Sequence, residues 1–136
     1  MWLREETWQR LIDAAAPYVA VADEVTPLHV ADEGAELAAD APRRVLLGRH
    51  PPPPPKAFEL VSEDAAAELV RAAAQRLGRP ARTETRRGRL EREVLAAAGG
   101  ADLLACARDA ERPGPHSLAP PTRFVVDHAP CAVLLV

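Results

Sequence analysis

Residues 89–107 (RLEREVLAAAGGADLLACA) hold the pattern that decides the fold. The apolar residues of about 89–98 fall on one face of a helix, and the Gly99-Gly100 pair ends that helix. The run Ala101–Ala107 that follows is almost continuously apolar, which is typical of a strand buried on both faces. A helix followed by a buried strand is the repeating unit of an α/β fold.

The same unit repeats on both sides of this stretch. Pro17 is expected to end the first helix, because a proline interrupts the helical hydrogen bonds. In chain order we expect a helix at about 5–16, a strand at Val25–Ala31, a helix from an N-cap at Ser62 to Gly78, an edge strand at Ala81–Arg86, the helix and strand above, a helix at about 119–128 and a strand at Cys131–Val136. Strands that alternate with helices predict a mostly parallel sheet with right-handed crossovers.

Length and composition predict a single domain spanning residues 1–136. The chain has 136 residues, a mass of 14.6 kDa and a net charge of −3. Aromatic residues make up only 4% of it, so the core must be aliphatic. Cys106 and Cys131 lack metal-site spacing, and we interpret both as buried apolar residues. No long apolar run or secretory leader is visible, which predicts a cytoplasmic protein without a membrane segment.

The Pro-rich segment 42–57 is the least regular part of the sequence. A weak helical pattern at Gly34–Ala41 precedes it, and Arg43–Leu47 forms a short basic and aliphatic run. The five prolines Pro51–Pro55 favour an extended polyproline II conformation. A surface spacer is the favoured interpretation, and a ligand for an SH3-like partner is the alternative.

The two halves of the chain differ in net charge, but this difference does not predict a nucleic-acid site. Residues 1–68 carry 13 acids and 6 bases, whereas residues 69–136 carry 7 acids and 11 bases. The arginines between Arg82 and Arg92 have no interleaved aromatic residues, so we interpret them as a solvated edge. The sequence therefore predicts no nucleic-acid binding.

The C-terminal third carries a resemblance to a known family. Residues 88–109, then Ser117–Val136 (SLAPPTRFVVDHAPCAVLLV), resemble the universal stress protein (UspA-like) family, and actinobacterial members in particular. Leu28-His29-Val30 and Arg87-Gly88 match the family's second strand and the turn before its third helix. The resemblance implies a three-layer α/β sandwich of the adenine nucleotide alpha hydrolase-like type, with strand order 3-2-1-4-5. It also implies a homodimer paired through the last strand, Cys131–Val136.

The phosphate-binding motif of the ATP-binding members is altered in this chain. That motif is G-x-x-G, nine residues, then G-[ST], and its glycines let backbone N–H groups approach phosphate closely. Alignment places Ala107, Ala110 and Ala119 at the three glycines and Pro120 at the hydroxyl residue. An alanine forced to positive φ is strained, and each lost phosphate donor weakens binding by about 1.5–3 kcal/mol.

The family's first strand, which ends in Asp-Gly-Ser, has no visible counterpart. The chain opens with Met1-Trp2-Leu3 and then the first helix, so we expect the central strand to be missing or replaced. A gap there would leave two rows of backbone groups unpaired. The candidates to fill it are Arg44–Gly48, Tyr18–Val21, a segment from a partner chain, or direct pairing of the second and fourth strands, and we slightly favour direct pairing or a rearranged sheet.

These departures predict a non-enzymatic, non-ATP-binding, dimeric interaction module in a stress or regulatory setting. The alternative is a domain that binds ATP or a related adenine nucleotide in a remodelled loop, through the candidate residues Arg108, Gly114, Ser117 and Thr122. Arg108-Asp109 follows a strand at its carboxyl end, where ligands bind in such sheets, and forms either a functional contact or a local salt bridge. We expect structural roles for His29 and His128, and we expect no metal site.

Overall fold

The computed structural model describes residues 1–32, 55–109 and 117–136, and in the second range it describes side chains from residue 63 onward. The described elements alternate between strands and helices along the chain. They are β1 (Trp2–Leu3), α1 (Trp8–Val19), β2 (Leu28–Asp32), α2 (Pro55–Leu77), β3 (Glu84–Gly88), α3 (Leu90–Ala98), β4 (Leu103–Cys106), α4 (Pro120–His128) and β5 (Ala132–Leu135).

The strands form two parallel ladders that lie side by side. One ladder has the order β1-β2-β3, with Trp2 opposite Leu28, and the other joins β4 to β5. β1 lies next to β4, so the five strands follow the order 3-2-1-4-5. Within the described residues, no backbone hydrogen bond joins β1 to β4.

Alternating side chains of the sheet build two aliphatic cores, one on each face. One face packs against α1 and α2, and the other packs against α3 and α4, which gives the expected three layers. The first core holds Leu3, Leu11, Ile12, Ala15, Val70, Ala73 and Ala105. The second holds Trp2, Leu28, Val30, Val94, Leu104, Cys106 and Val125. Leu3 and Trp2 are adjacent residues that enter opposite cores, as the period of two in a strand requires.

The expectation that the first strand is missing or replaced is wrong. Met1-Trp2-Leu3 itself occupies the centre of the sheet, and the Met1 carbonyl accepts a hydrogen bond of 2.8 Å from the N–H of Leu28. Tyr18 and Val19 end α1 rather than forming a strand. Arg44–Gly48 lies outside the described residues. Sequence reasoning failed because two paired residues are too few to show an alternating pattern.

Two helix boundaries also differ from expectation. α1 passes through Pro17 and ends at Val19, so the N–H that proline lacks costs the helix one bond near its end without stopping it. α2 begins at Pro55, so Ser62 lies inside the helix rather than capping it, and Pro55 does not continue the polyproline segment. The predictions for Gly34–Ala41 and for Pro51–Pro54 lie outside the described residues.

Two glycines set the turns that return the chain to the sheet. Gly78 has φ +66° directly after α2, the left-handed conformation that ends helices without a Cβ penalty. Gly88 has φ +149° at the end of β3, and a Cβ placed there would lie 3.2 Å from Glu93 of α3. These turns bring the chain from β3 into α3 and place β4 beside β1.

Candidate functional site

The carboxyl ends of β1 and β4 meet the amino end of α4, which is where ligands bind in parallel α/β sheets. Asp109 follows β4, and its Oδ2 accepts a hydrogen bond of 2.7 Å from the N–H of Ala119. Ala119 is the N-cap position of α4. The Asp109 carboxylate therefore occupies the positive end of the helix dipole, the position that suits a bound anion.

Arg4, the residue after β1, completes this arrangement. Its Nη1 forms an ion pair with Asp109 Oδ1, and its guanidinium carbon lies 5.9 Å from the centre of the Trp2 ring. The Asp109 side chain is only 14% exposed and that of Arg4 is 37% exposed. A nearly buried carboxylate is thus neutralised within the chain by one arginine and one helix N-terminus.

The structure brings two of the four candidate residues to this place. Thr122 is fully buried, and its hydroxyl accepts a hydrogen bond of 3.4 Å from Arg4 Nη1. Ser117 is buried, and its carbonyl accepts a hydrogen bond of 3.2 Å from the N–H of Asp109. Gly114 lies outside the described residues.

Arg108 is held by its backbone at the edge of this site. Its N–H donates a hydrogen bond of 2.7 Å to the Val136 carbonyl, and its own carbonyl accepts one of 2.9 Å from Arg10. Of the two roles left open for Arg108-Asp109, a functional contact or a local salt bridge, the structure shows Asp109 in an ion pair with Arg4. The sequence showed no signal for Arg4, because only the pairing of β1 brings it to the carboxyl end of β4.

Two features of the described residues disfavour a nucleotide phosphate at the N-terminus of α4. The N–H of Ala119, which would meet a phosphate at the helix N-terminus, already donates to Asp109. The cleft beside the ion pair measures about 220 Å³ and also contains Glu5 and Glu6, whose carboxylates repel an anion. Pockets for drug-sized ligands generally measure about 300–1,000 Å³.

Ala107 stands at the first glycine position of the alignment, but its backbone does not adopt the strained positive φ expected there. It is buried, and among the described residues no residue other than glycine has positive φ. Ala107 therefore does not have the positive φ expected of the glycine at this first position. Ala110 lies outside the described residues.

The two cysteines and the two histidines among the described residues lie in surroundings that indicate structural roles. Cys106 is fully buried, and burial raises the pKa of its thiol to about 11, while Cys131 is half-buried and also free. His29 Nδ1 lies 3.3 Å from the Leu3 carbonyl, and the ring of His128 stacks on Phe124 at 4.0 Å. Within the same ranges, no three His, Cys, Asp or Glu side chains are placed to hold a metal ion.

Two solved structures superpose on this chain over most of its length. Hypothetical protein MJ0577 superposes with a TM-score of 0.67 over 94% of this chain and 85% of its own, at 16% identity. Universal stress protein UspA from Lactobacillus plantarum superposes with a TM-score of 0.57 over 99% of this chain and 93% of its own, at 22% identity.

This chain has the universal stress protein fold. The α/β architecture and the resemblance carried by residues 117–136 are thereby confirmed. No family model matches the sequence, and no curated protein matches it. Of the helices in residues 1–32, 55–109 and 117–136, none combines the length and the apolar character needed to cross a bilayer.

Proposed function

We propose that this universal stress protein-like domain does not bind ATP, has no enzymatic activity and acts in the cytoplasm as a homodimeric interaction module of a stress response. The observation that carries the proposal is the Asp109 carboxylate on the N-terminus of α4, paired with Arg4. An internal carboxylate there supplies the negative charge that a phosphate would supply.

For electrostatic reasons, the Asp109 carboxylate and a phosphate compete for the N-terminus of α4. A phosphate at the N-terminus of α4 would have to displace the carboxylate or lie beside it. Displacement would leave the nearly buried Asp109 charge unpaired, which costs several kcal/mol. Coexistence would place two like charges within a few ångströms of each other in a site shielded from water.

Calorimetric titration with ATP and magnesium tests this proposal. We expect neither heat nor a shift in the unfolding temperature at millimolar nucleotide. Saturable binding, lost when Thr122 and Arg108 are replaced, would establish the alternative of an adenine-nucleotide-binding domain instead.

An Asp109→Ala variant gives the complementary test. It leaves Arg4 and the N–H of Ala119 without their anion, so we expect inorganic phosphate to raise the unfolding temperature of this variant and not that of the parent chain. Asp102→Ala removes one exposed carboxylate elsewhere and should gain no such response.

The dimer is proposed to form through the open edge of β5. In the parallel ladder with β4, the even-numbered residues of β5 bond to β4, as Ala132 and Val136 do through their N–H groups. The N–H and C=O groups of Val133 and Leu135 therefore point away from β4. Such an edge is a template for pairing with the same strand of a second copy across a twofold axis.

Sedimentation of a Val133→Pro variant tests this interface. Proline removes the outward N–H of Val133 but no bond to β4, so we expect a folded monomer where the parent chain is a dimer. Val133→Ala keeps the N–H and should remain dimeric. A dimer that survives both Val133→Pro and removal of Val133–Val136 would refute pairing through β5.

A further inference from the structure

The described sheet ends at β3, which is the outermost strand of the order 3-2-1-4-5. β3 pairs with β2 through its even-numbered residues, since the N–H of Glu84 donates to the Pro27 carbonyl at 2.9 Å. The N–H and C=O groups of Thr85 therefore point away from β2. Within the described ranges, no strand pairs with this outer side of β3.

The outer side of residues 82–88 (the β3 edge) is as long as an ordinary strand. Pairing toward β2 begins at Arg82, whose N–H donates to the Val25 carbonyl at 3.2 Å. It ends at Gly88, which lies opposite Asp32. Strands in globular proteins typically have about 5–6 residues. The β3 edge can therefore form a complete ladder with one added strand.

The charges of the β3 edge are complementary to those of a second, antiparallel copy. Glu84 and Arg86 lie on the same face of β3, on either side of Thr85, and Arg86 Nε lies 2.7 Å from Glu84 Oε1. A second copy centred on Thr85 places Glu84 of each chain opposite Arg86 of the other. Each of these four charges then has an opposite charge beside it, along its own strand and across the axis.

The other positions of this register are compatible with pairing as well. Thr85 lies opposite Thr85 of the second copy, and the outward N–H and C=O groups of the two residues exchange two hydrogen bonds. Threonine pairs across antiparallel strands are favourable. Thr83 lies opposite Arg87, and Arg82 lies opposite Gly88, which has no side chain to clash with it.

Other twofold axes on the same edge are less favourable. An axis at Glu84, Arg86 or Arg87 places that charged residue opposite itself, and like charges directly opposite each other are destabilising. An axis at Thr83 leaves the second half of the β3 edge unpaired. Of these axes, only the one at Thr85 pairs the full edge without opposing like charges.

A partner of uniformly acidic or basic character has little to gain at this edge. Arg86 forms ion pairs with Glu84 at 2.7 Å and with Glu93 at 3.5 Å, and Arg89 forms one with Glu91 at 3.4 Å. The edge therefore favours a strand of mixed charge, and β3 of a second copy supplies that pattern. Residues 82–93 also contain no aromatic side chain on which a nucleic-acid base could stack.

We propose that the β3 edge is a self-association surface, at which two copies of this chain join by antiparallel pairing of β3 about a twofold axis at Thr85. The surface lies at the opposite edge of the sheet from β5, so dimers joined through β5 would extend into longer assemblies. β3 pairing is weaker than β5 pairing, because the side chains of the β3 edge are polar whereas those of β5 are aliphatic. It therefore operates only at high protein concentration, and its failure leaves the β5 proposal untouched.

Sedimentation of the Val133→Pro variant tests this surface without pairing through β5. We expect a monomer at micromolar concentration and a dimer at millimolar concentration. Adding Thr85→Pro removes the outward N–H of Thr85 but no bond to β2, so it should weaken this association at least about tenfold. Adding Thr85→Val instead keeps that N–H and should leave the association unchanged.

An exchange of charge between two chains gives the most specific test. Glu84→Arg makes both members of the pair positive and Arg86→Glu makes both negative, so each variant alone should associate at least about tenfold more weakly. An equimolar mixture of the two variants should recover the association, because opposite charges again face each other across the axis. A chain that carries both substitutions keeps the complementary pattern and should associate on its own.

Three results would overturn the proposal. The first is the absence of association at millimolar concentration. The second is that the single-charge variants, shown to be folded by circular dichroism, associate as well as the chain without them. The third is a mixture of those folded variants that fails to recover association. If Val133→Pro does not fold, the same substitutions in the parent chain are read from the step beyond its smallest species.

Discussion

The two ends of β1 contrast sharply, although they are only three residues apart. At the carboxyl end, Arg4 ties Asp109 and Thr122 together over the N-terminus of α4. At the amino end, a cleft of about 760 Å³ opens beside Met1, whose amino group donates a hydrogen bond to the Thr26 carbonyl. The polar groups of the carboxyl end are thus paired with one another, whereas the amino end borders a cavity.

The carboxyl end of β1 is the observation on which the proposal of a domain without bound nucleotide rests. The carboxyl edge of a parallel sheet is where this architecture presents helix N-termini to anions. A carboxylate of the chain itself at that position keeps the electrostatic arrangement and removes the vacancy.

Removing Arg4, which closes the carboxyl end of β1 (the closed end) by its ion pair with Asp109, should have the largest effect on stability. Arg4→Ala leaves the nearly buried Asp109 charge without its cation, and we expect the free energy of unfolding to fall by about 3 kcal/mol. Urea denaturation at neutral pH measures this. The loss should shrink in the Asp109→Asn background, where no charge needs compensation.

Arg76→Ala is the matched control for that prediction. Arg76 forms a two-bond ion pair with Asp13 at 2.7 and 2.9 Å, which lowers the pKa of Asp13, but both side chains are exposed to solvent. An exposed pair adds little stability, so this substitution should be hard to distinguish from the parent chain. Equal losses at Arg4 and Arg76 would show that the ion pair of Arg4 and Asp109 stabilises the chain no more than an exposed ion pair does.

The Met1 amino group, at the amino end of β1, should make the stability of the fold depend on pH. Burial lowers the pKa of the Met1 amino group from 8.0 to about 6. Between these values the unfolded chain binds more protons than the folded chain, so the free energy of unfolding rises with pH. The stability present above pH 8 is lost as the pH falls toward 6, by about 2 kcal/mol.

A chain that carries a few added residues before Met1 isolates this contribution. It has no amino group at that position, so the difference in stability between the two chains should change across pH 6–8 by that same amount. Subtraction also removes the contributions of the histidines, which both chains share. A difference that stays constant from pH 6 to 8 would mean that the Met1 amino group is not desolvated.

The long periodic segments made most of the fold predictable. α3, β4, α4 and β5 lie within about two residues of their expected bounds, because each couples a clear apolar pattern to a glycine or proline boundary. Local signals failed where tertiary structure decides. β1 is a strand only because β2 pairs with it, and α1 continues past Pro17 because its apolar stripe reaches Val19.

The candidate site was predictable in position but not in mechanism. The carboxyl end of β4 follows from the alternating pattern, and Ser117 and Thr122 do lie there, both buried. The partner of Asp109 lies 105 residues away in sequence, at Arg4. No spacing rule connects two such residues, since the register of a central strand brings them together.

A smaller effect within the closed end is expected at Thr122. Thr122→Val keeps the shape of the side chain but removes the hydroxyl that accepts from Arg4, so the free energy of unfolding should fall by about 1 kcal/mol. Thr122→Ser retains the hydroxyl and should recover the polar part of that loss. If both variants are equally stable, the buried hydroxyl does not take part in the ion-pair arrangement.

Thiol reactivity gives a second measure of how firmly the carboxyl end of β1 is held. Cys106 ends β4 beneath the closed site, and its thiol pKa of about 11 leaves almost no thiolate at pH 8. Cys131 is half-buried before β5. Iodoacetamide at pH 8 should therefore modify Cys131 in the folded chain and reach Cys106 only after unfolding.

The Arg4→Ala variant opens the closed end more often, so Cys106 should be modified faster in it than in the parent chain, while the rate at Cys131 stays the same. Equal rates at Cys106 in both chains would mean that the ion pair of Arg4 and Asp109 does not hold this end of the sheet closed.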